Sequence, residues 1–228
     1  AAVRTLAADP RFTPALSSLG ALRRSPPQSL LLEGGSPDER VWAALYWAAL
    51  LNCPDAESTG QACLDCPDCL RFTSCVHRDL TLLDGRAGNI KIDDVREMRS
   101  SLGQGPQEAS RRAIILAEGQ SLMEAAANAL LKSLEEPRPG TVFVLTAPQR
   151  ERLLPTLVSR SWVLTLPWPR DPAFLHEPER AALLQEWTYA LLGFARGGQG
   201  KARGAGWMER TAKRGSLDAN LAMQLVLL

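Results

Sequence analysis

Short apolar runs alternate with helix-forming segments through most of this 228-residue chain. The runs lie at residues 29–32, 80–83, 113–116, 141–146 and 162–166. Consecutive apolar residues over so short a length are typical of strands buried on both faces, and a helix between successive strands implies that the strands run parallel. The sequence therefore predicts an α/β fold in which helices cover both faces of a parallel sheet.

Two of the helix-forming segments are well marked. Residues 40–51 are apolar on nearly every side, as expected for a helix buried within an α/β domain. Ser121 and Glu124 fit a capping box, in which each side chain bonds the other residue's free backbone N–H, and they predict a helix over about residues 122–136. Pro137 ends this helix, because proline cannot donate a helical hydrogen bond.

The character of the sequence changes after Pro169. Residues 169–228 contain helix-forming segments at 179–194 and 217–228, and they contain no strand-forming run. We therefore predict an α/β domain over residues 1–168 and a smaller, all-helical region over residues 169–228.

Composition excludes several classes of function. The formal net charge is only +1, so the chain lacks the overall basic footprint of a dedicated nucleic-acid-binding protein. No apolar run approaches the roughly 20 residues that cross a bilayer, and the N-terminus lacks the pattern of a signal peptide. We expect a cytoplasmic protein that makes no membrane contact.

The turn after the first apolar run matches a phosphate-binding loop that has lost its functional residues. A working loop needs G-x-x-x-x-G-K-[ST], in which glycines bring backbone N–H groups to phosphate, lysine supplies charge and a hydroxyl binds magnesium. Gly34 and Gly35 open the stretch here, and Arg40 stands at the lysine position. Glu39 replaces the second glycine and Val41 replaces the hydroxyl residue. Positive charge is kept, but the magnesium ligand is lost.

The second acidic position of such a site is also altered. The buried run 113–116 should be followed by Asp-Glu, of which the aspartate holds magnesium and the glutamate orients water. Ala117 and Glu118 stand there instead. We predict a domain shaped like an ATPase that neither binds nor hydrolyses ATP. An active ATPase in which Arg40 substitutes for the lysine is the alternative.

Four of the five cysteines form a compact pattern. Cys53, Cys63, Cys66 and Cys69 have the spacing C-x9-C-x2-C-x2-C. Four thiolates surround a zinc ion tetrahedrally, and C-x2-C turns place two sulfur atoms on one ion. The pattern predicts an inserted zinc knuckle over residues 53–69, and because four protein ligands close the coordination shell, the zinc is structural and not catalytic.

Several motifs resemble those of bacterial clamp-loader subunits, the gamma/tau and delta-prime proteins of the AAA+ class. Residues 125–137, AAANALLKSLEEP, resemble the signature helix of that family, and Thr146 ends the next strand as its sensor-1 residue does. Residues 157–161, LVSRS, resemble its Ser-Arg-Cys motif, with Ser161 in place of cysteine. The resemblance covers about residues 28–166, cysteine cluster included. Gamma/tau subunits keep intact nucleotide motifs, so the degenerate ones here favour the delta-prime kind.

The resemblance implies an AAA+ P-loop-type sheet and a non-catalytic stator in the DNA polymerase III clamp loader. That loader is a five-subunit assembly of gamma/tau, delta and delta-prime subunits that opens the sliding clamp and loads it on primed DNA. The resemblance also assigns Arg160 as a finger that reaches the ATP of an adjacent gamma-type subunit, an effect worth about 10³–10⁵ in rate in well-studied cases. Considered alone, Arg160 is better explained as an ordinary helix-end arginine that bonds last-turn carbonyls.

Two further points follow from the resemblance. Family members have a helical lid and then a helical collar, whereas only about 60 residues follow Pro169. Residues 169–228 are therefore expected to form part of a collar, with the lid missing. A zinc-knuckle nucleic-acid-binding module on an AAA+ frame is a third functional hypothesis, and the near-neutral charge argues against it.

Overall fold

The computed structural model describes residues 2–103, 105–136 and 138–168. Each predicted apolar run forms a strand in this part of the chain: β1 (Ser29–Gly34), β2 (Leu80–Asp84), β3 (Arg112–Ala117), β4 (Thr141–Ala147) and β5 (Trp162–Leu166). The five strands form one sheet in the order β2-β3-β4-β1-β5, and all neighbouring strands are parallel. The predicted parallel sheet is confirmed.

Helices flank this sheet. The described residues form eight of them: α1 (Ala2–Ala8), α2 (Thr13–Leu22), α3 (Pro37–Asn52), α4 (Ala56–Thr59), α5 (Pro67–Thr73), α6 (Ile92–Ser101), α7 (Glu124–Glu135) and α8 (Pro155–Val158). The helix α3 contains the whole segment 40–51 that was predicted to be helical, and α7 lies within its predicted segment, whereas α1 and α2 were not predicted. None of the described helices is long and apolar enough to span a bilayer.

Strand side chains alternate between two hydrophobic cores. On β1, Leu30 and Leu32 belong to the core that α1, α2 and α3 cover, whereas Leu31 belongs to the core under α6, α7 and α8. On β3, Ile115 belongs to the first core and Ile114 to the second. Because both faces are covered, every residue of β1 and β3 is buried, which explains their nearly unbroken apolar sequences.

The predicted capping box at the start of α7 does not form. Ser121 lies in a 3₁₀ turn, Gly119–Ser121, and the residue that precedes α7 is Met123, which makes no side-chain capping bond. The backbone N–H of Ile90 donates to the Ser121 carbonyl (2.9 Å), and that of Met123 donates to the Ile90 carbonyl (3.1 Å). This pairing holds the segment extended, so the helix begins only at Glu124.

Parallel strands bring residues distant in sequence to the same edge of the sheet. Gly34, Glu118 and Thr146 lie at or near the carboxyl ends of β1, β3 and β4, the edge at which α/β proteins bind ligands. Arg160 precedes β5 and therefore lies at the opposite, amino edge. The predicted all-helical region, residues 169–228, lies outside the described residues.

Candidate metal centre and altered phosphate loop

The four cysteines of the predicted knuckle converge between α3 and α5. Their sulfur atoms all lie within 4.8 Å of one another. The Sγ atom of Cys63 is 3.5 Å from that of Cys53 and 4.0 Å from that of Cys69. A tetrahedral ion with Zn–S bonds of about 2.3 Å would hold its sulfur ligands about 3.8 Å apart. The cluster, which also includes Cys66, therefore has the spacing of a site that could hold a metal such as zinc.

Backbone N–H groups point at the sulfur atoms. The N–H of Cys63 donates to Cys53 Sγ (3.4 Å), that of Cys66 to Cys63 Sγ (3.3 Å) and that of Cys69 to Cys66 Sγ (3.5 Å). Such bonds favour the thiolate form, but burial raises the pKa of both the Cys63 and the Cys69 thiols. A bound cation would offset the effect of burial, because thiolate and not thiol is the metal ligand.

Contacts with α1 and α3 fix the knuckle on the domain. The guanidinium of Arg4 donates to the Leu64 carbonyl (2.7 Å) and forms an ion pair with Asp65. The hydroxyl of Tyr46 accepts a bond from the N–H of Ala62 (3.4 Å). The loop that carries two of the cysteines is thus tied to two different helices.

His77 and Cys75, which follow the cluster in sequence, do not join it. The His77 ring stacks on Phe72 with centroids 4.0 Å apart, and its Nδ1 accepts a bond from the Asp79 N–H (3.0 Å). Cys75 is exposed to solvent. Within the described residues, the candidate ligand group comprises the four predicted cysteines alone.

Arg40 is turned inward at the altered phosphate loop. Its residue is only 1% exposed, and Nη1 donates to the carbonyls of Gly34 and Gly35 at 2.7 Å each. Its Nε and Nη2 atoms lie 2.9 and 2.7 Å from Oε1 of Glu118. The charge at the lysine position is thus neutralised by a carboxylate of this chain at the position of the second acidic motif.

Glu118 is itself held in place by its neighbours. Its Oε2 accepts a bond from Gln120 Nε2 (2.7 Å), and its backbone N–H donates to the Thr146 hydroxyl (2.9 Å). Thr146, predicted as the sensor-like residue, is fully buried. The structure therefore brings three of the predicted nucleotide-site positions together, but they bond to one another instead of facing an open crevice.

The N-terminus of α3 is also satisfied internally. The Ser36 N–H donates to Glu39 Oε2 (2.7 Å) and the Glu39 N–H donates to the Ser36 hydroxyl (3.2 Å). The guanidinium of Arg11 then bonds the second oxygen of Glu39 (3.0 Å). In a working loop, phosphate oxygens accept from the N–H groups at this helix terminus. In this chain the Glu39 carboxylate and the Ser36 hydroxyl accept from N–H groups at this terminus instead.

The packing of the sheet, and not a ligand, explains why residue 34 is glycine. Its φ angle is +78°, and a Cβ atom there would lie 2.4 Å from the carbonyl oxygen of Leu166 on β5. Its N–H donates to the Pro148 carbonyl (3.0 Å). Close strand packing alone therefore requires glycine at this position.

Arg160 lies two residues after the end of α8, with its side chain 38% exposed. Its Nη1 donates to the Thr156 carbonyl (3.2 Å), the helix-end contact considered above, and its Nη2 forms an ion pair with Glu135 (2.7 Å). A five-residue strand such as β5 separates the two sheet edges by about 16 Å. Arg160 is therefore remote from the loop around Arg40 in its own chain.

Two side-chain contacts in the structure were not predicted from the sequence. The Arg40–Glu118 pair joins residues 78 positions apart, and the Glu135–Arg160 pair joins residues 25 positions apart. The first had a signal: opposite charges stand at both altered motif positions, which parallel strands place at one edge. The second had none, because nothing in the local pattern relates the end of α7 to the end of α8.

Comparisons with known proteins identify relatives of this chain. The family model described as "DNA polymerase III, delta subunit" matches residues 20–169. The DNA polymerase III subunit delta' of Pseudomonas aeruginosa is 35% identical over 72% of this chain and 50% of its own length. The Bacillus subtilis subunit delta' is 31% identical over 69% of this chain and 50% of its own length. The chain thus spans about half the length of the curated relatives it matches.

A solved structure supports the same fold. A DNA polymerase III gamma subunit-related protein from Thermotoga maritima superimposes with a TM-score of 0.52 at 25% identity, covering 75% of this chain and 49% of that one. Together with the parallel sheet and its flanking helices, this likeness confirms the predicted AAA+-type α/β fold.

Proposed function

This chain belongs to the family of DNA polymerase III delta-prime subunits, and from that membership we propose that it is the non-catalytic stator of a replicative clamp loader. In this proposal it assembles with gamma/tau and delta subunits into a five-membered loader, which opens the sliding clamp and places it on primed DNA in the cytoplasm. The observation that carries the proposal is the internal neutralisation of Arg40 by Glu118.

Arg40 cannot replace the phosphate-loop lysine without large losses. To contact phosphate, its guanidinium would have to leave Glu118 and two loop carbonyls, and breaking a buried ion pair costs about 3–5 kcal/mol. The carboxylates of Glu39 and Glu118 would then lie close to the phosphate groups. These contacts argue against the gamma-like ATPase hypothesis and support a subunit whose conformation does not depend on nucleotide.

We propose that Arg160 supplies the arginine finger. It is partly exposed and lies at the edge of the sheet opposite its own altered loop, and both features support an action on a neighbouring subunit instead of on its own chain. A guanidinium that approaches another subunit's ATP neutralises the charge that builds up on the transferring phosphoryl group.

The test is the DNA-stimulated ATPase rate of a loader reconstituted with cognate gamma and delta subunits. Arg160→Ala should lower the rate by at least about 100-fold while assembly survives, in keeping with known fingers. Arg96→Ala is the matched control, because Arg96 is also an exposed arginine with an ion pair, to Asp93. An unchanged rate with Arg160→Ala would remove this residue from catalysis.

We propose that zinc occupies the cysteine cluster and has a structural role. Cys53, Cys63, Cys66 and Cys69 would be its ligands, and their sulfur spacing supports tetrahedral coordination. One zinc per chain, measured by elemental analysis of protein purified without added metal, is the expected result. Less than about 0.2 equivalents would contradict the assignment.

A further inference from the structure

The Arg160 guanidinium is held at two points before any partner is present. Glu135, the last residue of α7, bonds Nη2 at 2.7 Å, and the Thr156 carbonyl of α8 bonds Nη1 at 3.2 Å. These two contacts leave the remaining guanidinium N–H groups without a bond to any of the described residues. The guanidinium is therefore held by two contacts and keeps further N–H groups that a partner could bind.

The Glu135–Arg160 ion pair contributes little to the stability of the fold, so its main effect is on the side chain of Arg160 itself. The side chains of Arg160 and Glu135 are 38% and 48% exposed. Pairs this exposed are screened by water and salt, and many of them stabilise proteins by no measurable amount. What the contact does change is the conformational freedom of a long side chain, because an arginine loses several rotamers when it is held.

We propose that Glu135 is a positioning residue for the arginine finger: its carboxylate fixes the Arg160 guanidinium in the direction of the adjacent subunit's ATP. This inference rests on the proposed function, in which Arg160 acts in trans. Without Glu135, Arg160 would sample several rotamers, and the ordering would have to occur in the transition state. Because Glu135 holds the Arg160 side chain before the reaction, the side chain loses this entropy when the subunit folds and not in the transition state.

The surroundings of Glu135 allow a carboxylate to lie near an incoming phosphate. Glu135 lines an open groove of about 780 Å³ together with Glu136 and three basic side chains, Arg99, Lys132 and Arg138. The basic groups outnumber the carboxylates, so the groove remains net positive and does not repel phosphate. Glu124, an exposed carboxylate at the start of the same helix, is not among the residues that line the groove and provides a matched control.

The experiment uses the reconstituted loader and measures kcat and KM for ATP. Glu135→Ala should lower kcat by about tenfold and leave KM unchanged, because ordering one arginine is then deferred to the transition state. Glu135→Gln, which keeps an acceptor but not the charge, should lower it less. Glu124→Ala should leave both constants unchanged. Gel filtration of each loader checks that assembly is retained.

A double variant separates positioning from a structural effect. In an Arg160→Ala background, Glu135→Ala should cause no additional loss, because the positioned group is already gone. An additional loss there, or an unchanged or faster rate with Glu135→Ala alone, would overturn the inference. If Arg160→Ala itself left the ATPase rate unchanged, both the proposed finger role of Arg160 and the positioning role of Glu135 would be refuted. If only Arg160→Ala slowed the loader, the finger would stand and the positioning role would fall.

Discussion

Removing one partner of the buried Arg40–Glu118 pair should destabilise the domain strongly. The two side chains are only 2% and 8% exposed, so water cannot solvate the charge that remains. Unit charges about 4 Å apart attract by about 4 kcal/mol at an effective dielectric constant of about 20. This agrees with the loss of about 3–5 kcal/mol found when one partner of a buried pair is removed. We therefore expect Glu118→Ala to lower the free energy of unfolding by about 3–5 kcal/mol.

The assay is urea unfolding monitored by tryptophan fluorescence, which reports on buried residues such as Trp47. Glu97→Ala, which removes an exposed carboxylate of α6, should change the free energy of unfolding by less than about 0.5 kcal/mol. In the double variant Arg40→Met/Glu118→Ala the loss should be smaller than the sum of the single losses, because no uncompensated charge remains. A loss below about 1 kcal/mol for Glu118→Ala, or simple additivity, would refute the reasoning.

Three further outcomes are expected. Magnesium-ATP at 1 mM should not raise the urea midpoint of the wild-type chain, whereas a ligand present at about 100 times its Kd would add about 2.7 kcal/mol. Cys63→Ser should release the metal and lower the Tm by several degrees in a thermal melt with a colorimetric zinc assay, and Cys75→Ser, which alters an exposed thiol, should do neither. Burial alone would raise the pKa of Asp79, but three backbone N–H groups and Arg112 outweigh burial and lower it. Its contribution to stability is therefore present at neutral pH and lost as the pH falls below about 4, so Asp79→Asn should flatten the acid limb of a stability titration and the exposed Asp55→Asn should not.

The sheet was predictable because its signal is local. A strand such as β3 is covered on both faces, so its sequence, RAIILA, is apolar at nearly every position whatever its neighbours are. The cysteine cluster was predictable for the same reason, since Cys63, Cys66 and Cys69 lie within one turn-and-helix segment. In both cases the residues that define the feature lie within a short stretch of the sequence.

Long-range contacts limited the prediction elsewhere. The capping box at Ser121 failed because Ile90, about 30 positions earlier, pairs with the backbone and delays the start of α7. The inward orientation of Arg40 depends on a carboxylate 78 positions away. Local patterns identify which residues are unusual, but the partner that determines their role is supplied by the topology.

The Arg40–Glu118 pair also limits the single changes that could turn this loop into a phosphate site. Arg40→Lys keeps the charge opposite Glu118 but loses the planar group that contacts Glu118 and two loop carbonyls at once. Ala117→Asp would place a second carboxylate beside Glu118 at a fully buried position, and a buried charge without its own partner costs several kcal/mol. Natural domains have only about 5–15 kcal/mol of stability in total, so such intermediates would be selected against. The altered loop is thereby entrenched by epistasis, because each single reversal weakens contacts on which the present domain depends.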